Sequence, residues 1–501
     1  MRKFITLLLL CFTINSYGQN VGIGTDVPTH SLHIIAEANP VRLQGLQTGN
    51  ATDSVVTIDA TGVLRMRSSA FTLSLTGWST TGNSNTTASN FLGTTDGKAL
   101  LLRTNNQPSG FIDPLAATRN NAYGNRSLAV VTTGSGNNAV GYVALTALTF
   151  GNGNTALGDS AAYNITIGSD NIALGSRTLV AAATAINNIA IGSNALRNNL
   201  TSENIAIGKD AATANIAGAN ILAIGTMALQ KNTSTNTELA IGNNALKSLN
   251  GGQENIAVGY NAGLNITSSN YNVLLGHFTL SSTTGSSRNT IIGHNAAIAY
   301  SAGGNGDNVF IGYQTALSQT GGLGNTYVGA AIDVAGNFSP GNSSALGQSV
   351  VITASNQVRI GNTNVSSIGG QVSWTTFSDA RIKKNIREDV PGLSFIEQLK
   401  PVTYNYDLQS MKKLQGGKGL TDNSGFENIR FTGLLAQDVE AAAKKIGYVF
   451  SGVDKPTNAY TPYGLRYSEL VVPMIKAMQE MKALIDKQQK EIDELKASIK
   501  K

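Results

Sequence analysis

The residues best suited to covalent chemistry lie in a short stretch near the C-terminus, residues 377–386, with the sequence Phe-Ser-Asp-Ala-Arg-Ile-Lys-Lys-Asn-Ile. Ser378 and Lys383 are placed like a nucleophile and its base. From residue 371 onward the sequence has no histidine and no cysteine, so a serine nucleophile there has only lysine or a carboxylate as a local base. Burial can lower the pKa of a lysine enough for its amine to take a hydroxyl proton. On spacing alone, a turn at Ser378 followed by a solvated Lys383 is the simpler interpretation.

Three patterns, the first within the stretch just described, follow one another in the C-terminal part of the chain. They are Ser-Asp-x-Arg-Ile-Lys-x-Asn-Ile at 378–386, Phe-x-x-x-Leu-x-Pro-x-x-Tyr at 395–404, and Gly-Leu-Leu-Ala-Gln-Asp-Val at 433–439. With these motifs, the chain from about residue 376 to the C-terminus resembles the peptidase S74 family. The members are intramolecular chaperone domains of endosialidase-type phage tail spikes.

The resemblance implies a domain that trimerises, helps the upstream fibre to fold and then cuts itself off. In the family the cut precedes the motif serine, and the catalytic pair is that serine with the lysine five residues later. In this sequence the implied catalytic residues are Ser378 and Lys383, and the implied cleavage site is the bond from Phe377 to Ser378. We expect an autoproteolytic serine endopeptidase that acts once in cis, with no cofactor and no metal.

A repeat occupies the middle of the chain, residues 125–370. The motif is Asn-x-Ala-φ-Gly, where φ is aliphatic, and most repeats are 17 residues long. The motif glycines are Gly141, Gly158, Gly175, Gly192, Gly208, Gly225, Gly242, Gly259, Gly276, Gly293, Gly312 and Gly329. A fixed period of this kind predicts a solenoid, in which stacked rungs complete each other's core. The recurrent asparagine predicts a hydrogen-bonded ladder along the stack.

Within one rung, strand alternation places Ile189 and Ile191 on one face and Ala190 on the other. Gly192 then turns the backbone. The array resembles the left-handed β-roll heads of trimeric bacterial adhesins, in which three rolls pack side by side. We expect the small alanine to face the neighbouring chains, where it would permit close approach.

The charged residues mark a domain boundary. Residues 121–370 contain 8 Lys/Arg and 8 Asp/Glu, whereas residues 371–501 contain 20 and 16. The change falls beside Ser378 and predicts that the array ends there. The array shows no paired-carboxylate or phosphate-loop motif. His277 and His294 follow the motif glycines of adjacent rungs, where they could stack or bind a metal; ordinary surface histidines are the simpler interpretation.

The N-terminal sequence predicts export. Residues 1–18 have a basic start, an apolar run and small residues near Gly18, as in a cleaved signal peptide. The run is too short for a permanent membrane anchor, and it contains Cys11, the only cysteine. Residues 19–124 read as short β units, with a hairpin across Ala60. Their opening Val-Gly-Ile-Gly-Thr resembles that of tail-fibre-like surface proteins, and His30 and His33 are expected to be ordinary strand residues.

The C-terminal domain, residues 376–501, is predicted to be a small α+β unit with a coiled coil at about 470–500. Its predicted elements are helices at 393–399 and 437–445, strands at 401–406 and 431–436, and a loop at 411–428. The heptad seam of the last helix has Met478, Ile485, Ile492 and Ile499 at position a. Position d holds Met474, Met481, Gln488 and Leu495. Isoleucine at position a favours a three-stranded coil when position d is also suitable, and the polar Gln488 could set the register at some cost in stability.

Together these patterns predict a mainly β chain: a trimeric β-roll or solenoid array with a small α+β chaperone domain that ends in a coiled-coil helix. The expected function is that of a secreted, fibrous, adhesin-like homotrimer that cuts itself before Ser378, with a host-surface or glycan ligand. The net charge of +6 is small for 501 residues and does not indicate a nucleic-acid partner. The alternatives are a non-cleaving trimeric adhesin with a permanent clamp and, more weakly, a polysaccharide-degrading spike.

Overall fold

The computed structural model describes residues 21–23, 25–27, 32–34, 54–58, 61, 64–68, 91–113, 118–336, 338–419 and 425–500. The chain divides into two compact units, Met1–Gly93 and Thr94–Lys501. The predicted signal peptide, Cys11 and His30 lie outside the described residues. In the part of the chain that is described, no helix is both long enough and apolar enough to cross a membrane.

The first unit contains two small strand pairs. Strand β1, Val21–Ile23, pairs in parallel with β2, Leu32–Ile34, which contains His33. Strand β3, Ser54–Ile58, pairs antiparallel with β4, Leu64–Ser68, so the predicted hairpin is confirmed. The run of β-branched residues in β3 and the alternation of Leu64 and Met66 with Arg65 and Arg67 in β4 are typical of strands.

The second unit is built on one long ladder of short strands. It begins with the antiparallel strands β5 (Leu100–Thr104), β6 (Gln107–Ile112) and β7 (Asn121–Tyr123). From β7 onward all pairs in this ladder are parallel, and each strand pairs with the equivalent strand of the next rung. The result is a β-solenoid of about 14 turns, as the repeat predicts.

The ladder continues through β8 (Asn138–Val140), β9 (Thr155–Leu157), β10 (Ile172–Leu174), β11 (Ile189–Ile191), β12 (Ile205–Ile207), β13 (Leu222–Ile224), β14 (Leu239–Ile241), β15 (Ile256–Val258) and β16 (Val273–Leu275). It ends with β18 (Thr290–Ile292), β20 (Val309–Ile311), β21 (Thr326–Val328), β23 (Ser344–Leu346) and β25 (Val358–Ile360). Short pairs outside this ladder join β17 (Ser286–Ser287) to β19 (Gly304–Asn305), and β22 (Asp333–Val334) to β24 (Val351–Ile352).

The rung interior corrects one expectation. Ala190 faces inward and is fully buried, whereas Ile189 and Ile191 are half-buried and face outward. The opposite wall of the same rung supplies Leu196, which is also fully buried. The predicted alanine face toward other chains is therefore wrong: the outward face of the strand is aliphatic. In this rung Leu196 occupies much of the interior, and the small Ala190 takes the remaining inner position. Later rungs place a larger residue there, such as Phe310.

The predicted asparagine ladder is confirmed. Asn171 is buried, and its Nδ2 donates to Asn154 Oδ1 at 3.0 Å, while its Oδ1 accepts from Asn188 Nδ2 at 3.1 Å. The same amide also donates to the carbonyl of Ala185 at 2.8 Å. Each asparagine thus satisfies backbone groups at a rung corner that water cannot reach.

The motif glycines are required by the close approach of successive rungs. Gly208 has φ +137°, and a Cβ there would lie 2.5 Å from the carbonyl carbon and oxygen of Gly225 in the next rung. Both the positive φ and the contact exclude a side chain at this corner. The period of the repeat therefore reflects a steric requirement that recurs once in each rung.

The C-terminal domain is a small α+β unit. Its elements are α1 (Leu393–Ile396), β26 (Val402–Tyr404), α2 (Leu408–Leu414), β27 (Phe431–Gly433), α3 (Ala436–Lys445), β28 (Val453–Asp454), β29 (Gly464–Leu465) and α4 (Val471–Ile499). Phe395 is fully buried at its centre with Val439 and Leu470. The predicted loop at 411–428 is partly wrong, because α2 runs into it; the Asp407 carboxylate caps this helix by accepting from Ser410 N at 2.9 Å.

Helix α4 extends from the domain with its predicted heptad seam uncovered. Met478, Ile485, Ile492 and Leu495 are all exposed along it. The surrounding Lys, Asp and Glu side chains form (i, i+4) pairs, such as Lys487 with Glu491 at 3.9 Å. An exposed apolar seam on a charged helix is typical of a coiled-coil strand.

Candidate functional site: the Ser378–Lys383 pair

The two predicted catalytic residues lie in an exposed segment between the array and the C-terminal domain. All residues from 364 to 389 are exposed. A single 3₁₀ turn, Ala380–Ile382, interrupts this segment. The Asp379 carboxylate caps the turn by accepting from Arg381 N at 2.8 Å.

The turn brings Lys383 back to Ser378. Lys383 Nζ donates a hydrogen bond to Ser378 Oγ at 2.7 Å. The structure thus places the predicted pair within the distance at which a base can take a proton from a nucleophile.

The neighbouring carboxylate is occupied by a different partner. Arg381 Nη2 lies 2.6 Å from Asp379 Oδ2, and Arg381 Nε lies 3.0 Å from the same oxygen. The hydrogen bonds from Arg381 lower the pKa of Asp379 below its ordinary value, so this carboxylate remains charged at neutral pH. Because Asp379 is held in this pair and also caps the turn, its role is to shape the segment that positions Lys383.

Burial, the property that activates a lysine base, is missing around the pair in a single chain. Ser378 and Lys383 are both exposed, and the Phe377 side chain before the expected cleavage site is 90% exposed. Trp374, at 86%, Ile382 and Ile386 are exposed in the same segment. These apolar side chains surround the pair in sequence and form exposed apolar surface beside it.

The array histidines lie side by side with their rings tilted by 31°. The rings of His277 and His294 are 6.0 Å apart, and they continue a stripe between Tyr260 and Tyr313. Among the described residues, no group of three or more His, Cys, Asp or Glu side chains is placed to hold a metal ion.

The structure also reveals a contact that the motifs did not indicate. Lys418 of the C-terminal domain lies 2.7 Å from Asp333 of the array. The two residues are 85 positions apart, and neither belongs to a recognised motif. The only local signal is the glycine-rich sequence Gly-Gly-Lys-Gly at 416–419, in which all three glycines have positive φ.

Comparison with known proteins gives one match. The family model Peptidase S74, described as chaperone of endosialidase, matches residues 378–448. No curated protein and no solved structure matches the chain. The matched segment begins at the serine of the pair and spans the core elements α1 to α3, so residues 378–448 are similar to the chaperone of endosialidase described by the Peptidase S74 model. The C-terminal region that contains this segment, residues 378–500, is called the S74 domain below.

Proposed function

We propose that this chain is an exported, tail-fibre-like surface protein that assembles as a homotrimer and cuts itself once, between Phe377 and Ser378. A chaperone-of-endosialidase domain that follows a β-solenoid is consistent with a tail-fibre-like protein. The observation that carries the self-cleavage is the 2.7 Å hydrogen bond from Lys383 Nζ to Ser378 Oγ, at the first residue of the matched segment.

The proposed reaction is an acyl transfer followed by hydrolysis. Neutral Lys383 takes the hydroxyl proton, and Ser378 Oγ attacks the carbonyl carbon of Phe377. The bond from this carbon to Ser378 N breaks, and the nitrogen leaves as an amine after it receives a proton. Water then hydrolyses the Phe377–Ser378 ester, which gives a Phe377 carboxylate and a new N-terminus at Ser378.

Assembly would supply what the single chain lacks. A lysine becomes a base when it is desolvated, and both members of the pair are exposed in one chain. The exposed Trp374, Phe377 and Ile382 give neighbouring copies apolar surface with which to cover the pair. Cleavage would then follow trimer formation, which protects a chain that has not yet assembled.

Two surfaces support association between copies. The heptad seam of α4 is exposed and has isoleucine at position a. The aliphatic residues on the outer face of the array strands, such as Ile205, Ile207 and Ile224, form a stripe along successive rungs. An apolar stripe of this length on a protein surface is typical of an interface.

The test of self-cleavage is Ser378→Ala. We expect the purified wild-type protein to give a C-terminal fragment that starts at Ser378, and the variant to remain uncut, as measured by intact mass and N-terminal sequencing. Ser373→Ala, at an exposed serine in the same segment, is the matched control and should cleave normally. Cleavage of Ser378→Ala at the same bond would exclude the proposed pair. The same sequencing would show whether residues 1–18 are removed.

The second candidate is a permanent trimerisation clamp that never cuts. The exposure of Ser378 and Lys383 favours it, because no described group in the single chain desolvates the lysine. Intact mass separates the two functions: one uncut species of wild-type protein in its assembled state supports the clamp.

A further inference from the structure

The array and the S74 domain are joined by a polar contact in addition to the backbone that connects them. Lys418 Nζ lies 2.7 Å from Asp333 Oδ2 and also donates a hydrogen bond to Ser318 Oγ. The side chains of Lys418 and Asp333 are only 25% and 13% exposed. A charged pair with this degree of burial is screened less by solvent than a surface pair.

The array itself prepares the acceptor for Lys418. Asp333 Oδ2 accepts from Ser318 Oγ at 2.6 Å, and Asp333 Oδ1 accepts from Ser318 N at 3.2 Å and from Val334 N at 2.9 Å. These bonds fix the carboxylate before any residue of the S74 domain reaches it. A pre-oriented acceptor reduces the entropy that docking must overcome.

A second contact lies one rung further along. The carbonyl of Thr353 accepts from Asn458 Nδ2 at 2.8 Å and from Thr461 Oγ1 at 3.0 Å. Between these residues, the ring of Tyr460 covers Gly336, where a Cβ would lie 2.5 Å from Tyr460 Cζ. The tyrosine therefore fits against the array only where the array has no side chain.

The interface is not closely packed between these contacts. A cavity of about 570 Å³ separates the two regions, lined by Val351 and Arg359 from the array and by Leu408, Met411 and Phe426 from the domain. Few apolar groups can therefore contribute packing energy there. Discrete polar contacts hold the two regions together, so their association should depend on ionic strength.

We infer that this surface is a docking site by which the S74 domain recognises the folded end of the array, and that it keeps the domain bound after the connecting backbone is cut. Ser318, Asp333 and Thr353 lie on three successive rungs, so the complete site exists only when those rungs have stacked. The partner is thus the array of the same protein. If the proposed trimer forms, three such contacts act together and strengthen retention.

The experiment cuts the backbone independently of Ser378. Its outcome therefore tests the docking site alone, and the proposed self-cleavage can be right or wrong whatever the result. A recognition sequence for a site-specific protease is inserted between Gly369 and Gly370, both exposed, in a Ser378→Ala background. After digestion, size-exclusion chromatography at low salt should show both fragments eluting together. Raising the salt to about 1 M should separate them, since the Debye length falls to about 3 Å.

Neutralising either member of the Lys418–Asp333 pair should separate the two fragments even at low salt. Lys418→Met should increase the released fraction about tenfold, and Asp333→Asn should act in the same direction. Lys413→Met, at an exposed lysine of α2, is the matched control and should retain the fragment. The inference is overturned if the fragments separate at low salt while Lys418 is intact. It is also overturned if the Lys413→Met and Lys418→Met variants release the fragment equally.

Hydrogen exchange gives a second measurement on the uncut Ser378→Ala chain. The inference expects the amides around Lys418 and at 458–461 to be protected from exchange, and Lys418→Met to remove this protection while the remainder of the domain stays protected. Exchange that is unchanged by Lys418→Met contradicts the inference even if the protease insertion disturbs folding.

Discussion

The array and the S74 domain differ in how much of their stabilisation one chain can supply. In the array, each rung buries apolar side chains against the next rung, such as Ala190 and Leu196, and the asparagine ladder satisfies buried corners. In the S74 domain, the segment around Ser378 and the seam of α4 remain exposed. The core of the array is therefore complete within one chain, whereas the domain leaves apolar surface exposed in the single chain. Under the proposed function, the domain starts assembly, and the array provides length together with its outer aliphatic stripe.

The largest effect is expected from substitutions in the heptad seam of α4, which test whether the C-terminal domain gathers the chains. Ile485→Asp combined with Ile492→Asp places charges at two a positions, and we expect complete loss of the trimer because a coiled-coil core does not accommodate unpaired charges. Sedimentation of the intact protein measures the oligomer. The array should keep its circular-dichroism signal in the monomer.

The matched control places the same charges elsewhere on the helix. Ala483→Asp combined with Ala497→Asp adds two carboxylates at outward f positions, and this protein should remain trimeric. A trimer that survives the seam substitutions would show that α4 does not gather the chains.

A change inside the array should act locally and strongly. Asn171→Ala leaves the carbonyl of Ala185 and the amides of Asn188 without their buried partner. We expect a loss of about 3 kcal/mol or more in unfolding free energy, from groups worth about 1–3 kcal/mol each. Hydrogen exchange should place the loss in the adjoining rungs, with no effect on oligomer size.

Asn198→Ala, at an exposed asparagine of the next rung, is the control and should change stability by less than about 0.5 kcal/mol. If Asn171→Ala and Asn198→Ala lowered the stability equally, the asparagine ladder would not be what stabilises the rung corners.

The smallest expected effect concerns Glu238, which stands in the ladder where most rungs have asparagine. Its carboxyl is buried and accepts from Asn255 N at 3.0 Å. Burial raises the pKa of Glu238 from 4.5 to about 7. Between these values the folded chain binds more protons than the unfolded chain, so the stability falls as the pH rises from 4.5 to 7.

Glu238→Gln should remove this dependence and add up to about 3 kcal/mol at pH 8, with little gain below pH 5. Thermal unfolding at the two pH values measures the difference. Glu203→Gln, at an exposed glutamate that does not contribute to the pKa of Glu238, should leave the pH profile unchanged. A profile that persists in Glu238→Gln would assign the dependence to another group.

The sequence was sufficient to predict the period, the corner glycines and the ladder, because each follows from local spacing. Spacing alone favoured a turn at Ser378 with a solvated Lys383, and only the family resemblance pointed to these two residues as a pair. The sequence did not determine which side of a three-residue strand faces inward. The pattern of Ile189, Ala190 and Ile191 fits either orientation, and only the width of the rung decides. The contact of Lys418 with Asp333 could not be predicted, since it depends on how two regions meet. Helix α2 had a signal, the Asp407 cap, that was overlooked beside the glycines that follow it.

Because equivalent residues pair in parallel from rung to rung, the length of the array is proportional to its number of repeats. Strands pair in register although repeats of 16 and 19 residues occur, as in Ile189 with Ile205 and Thr290 with Val309. Each repeat adds about 4.8 Å of reach. Unequal recombination between repeats would lengthen or shorten the array in whole steps, so its length could evolve without redesign of its two ends.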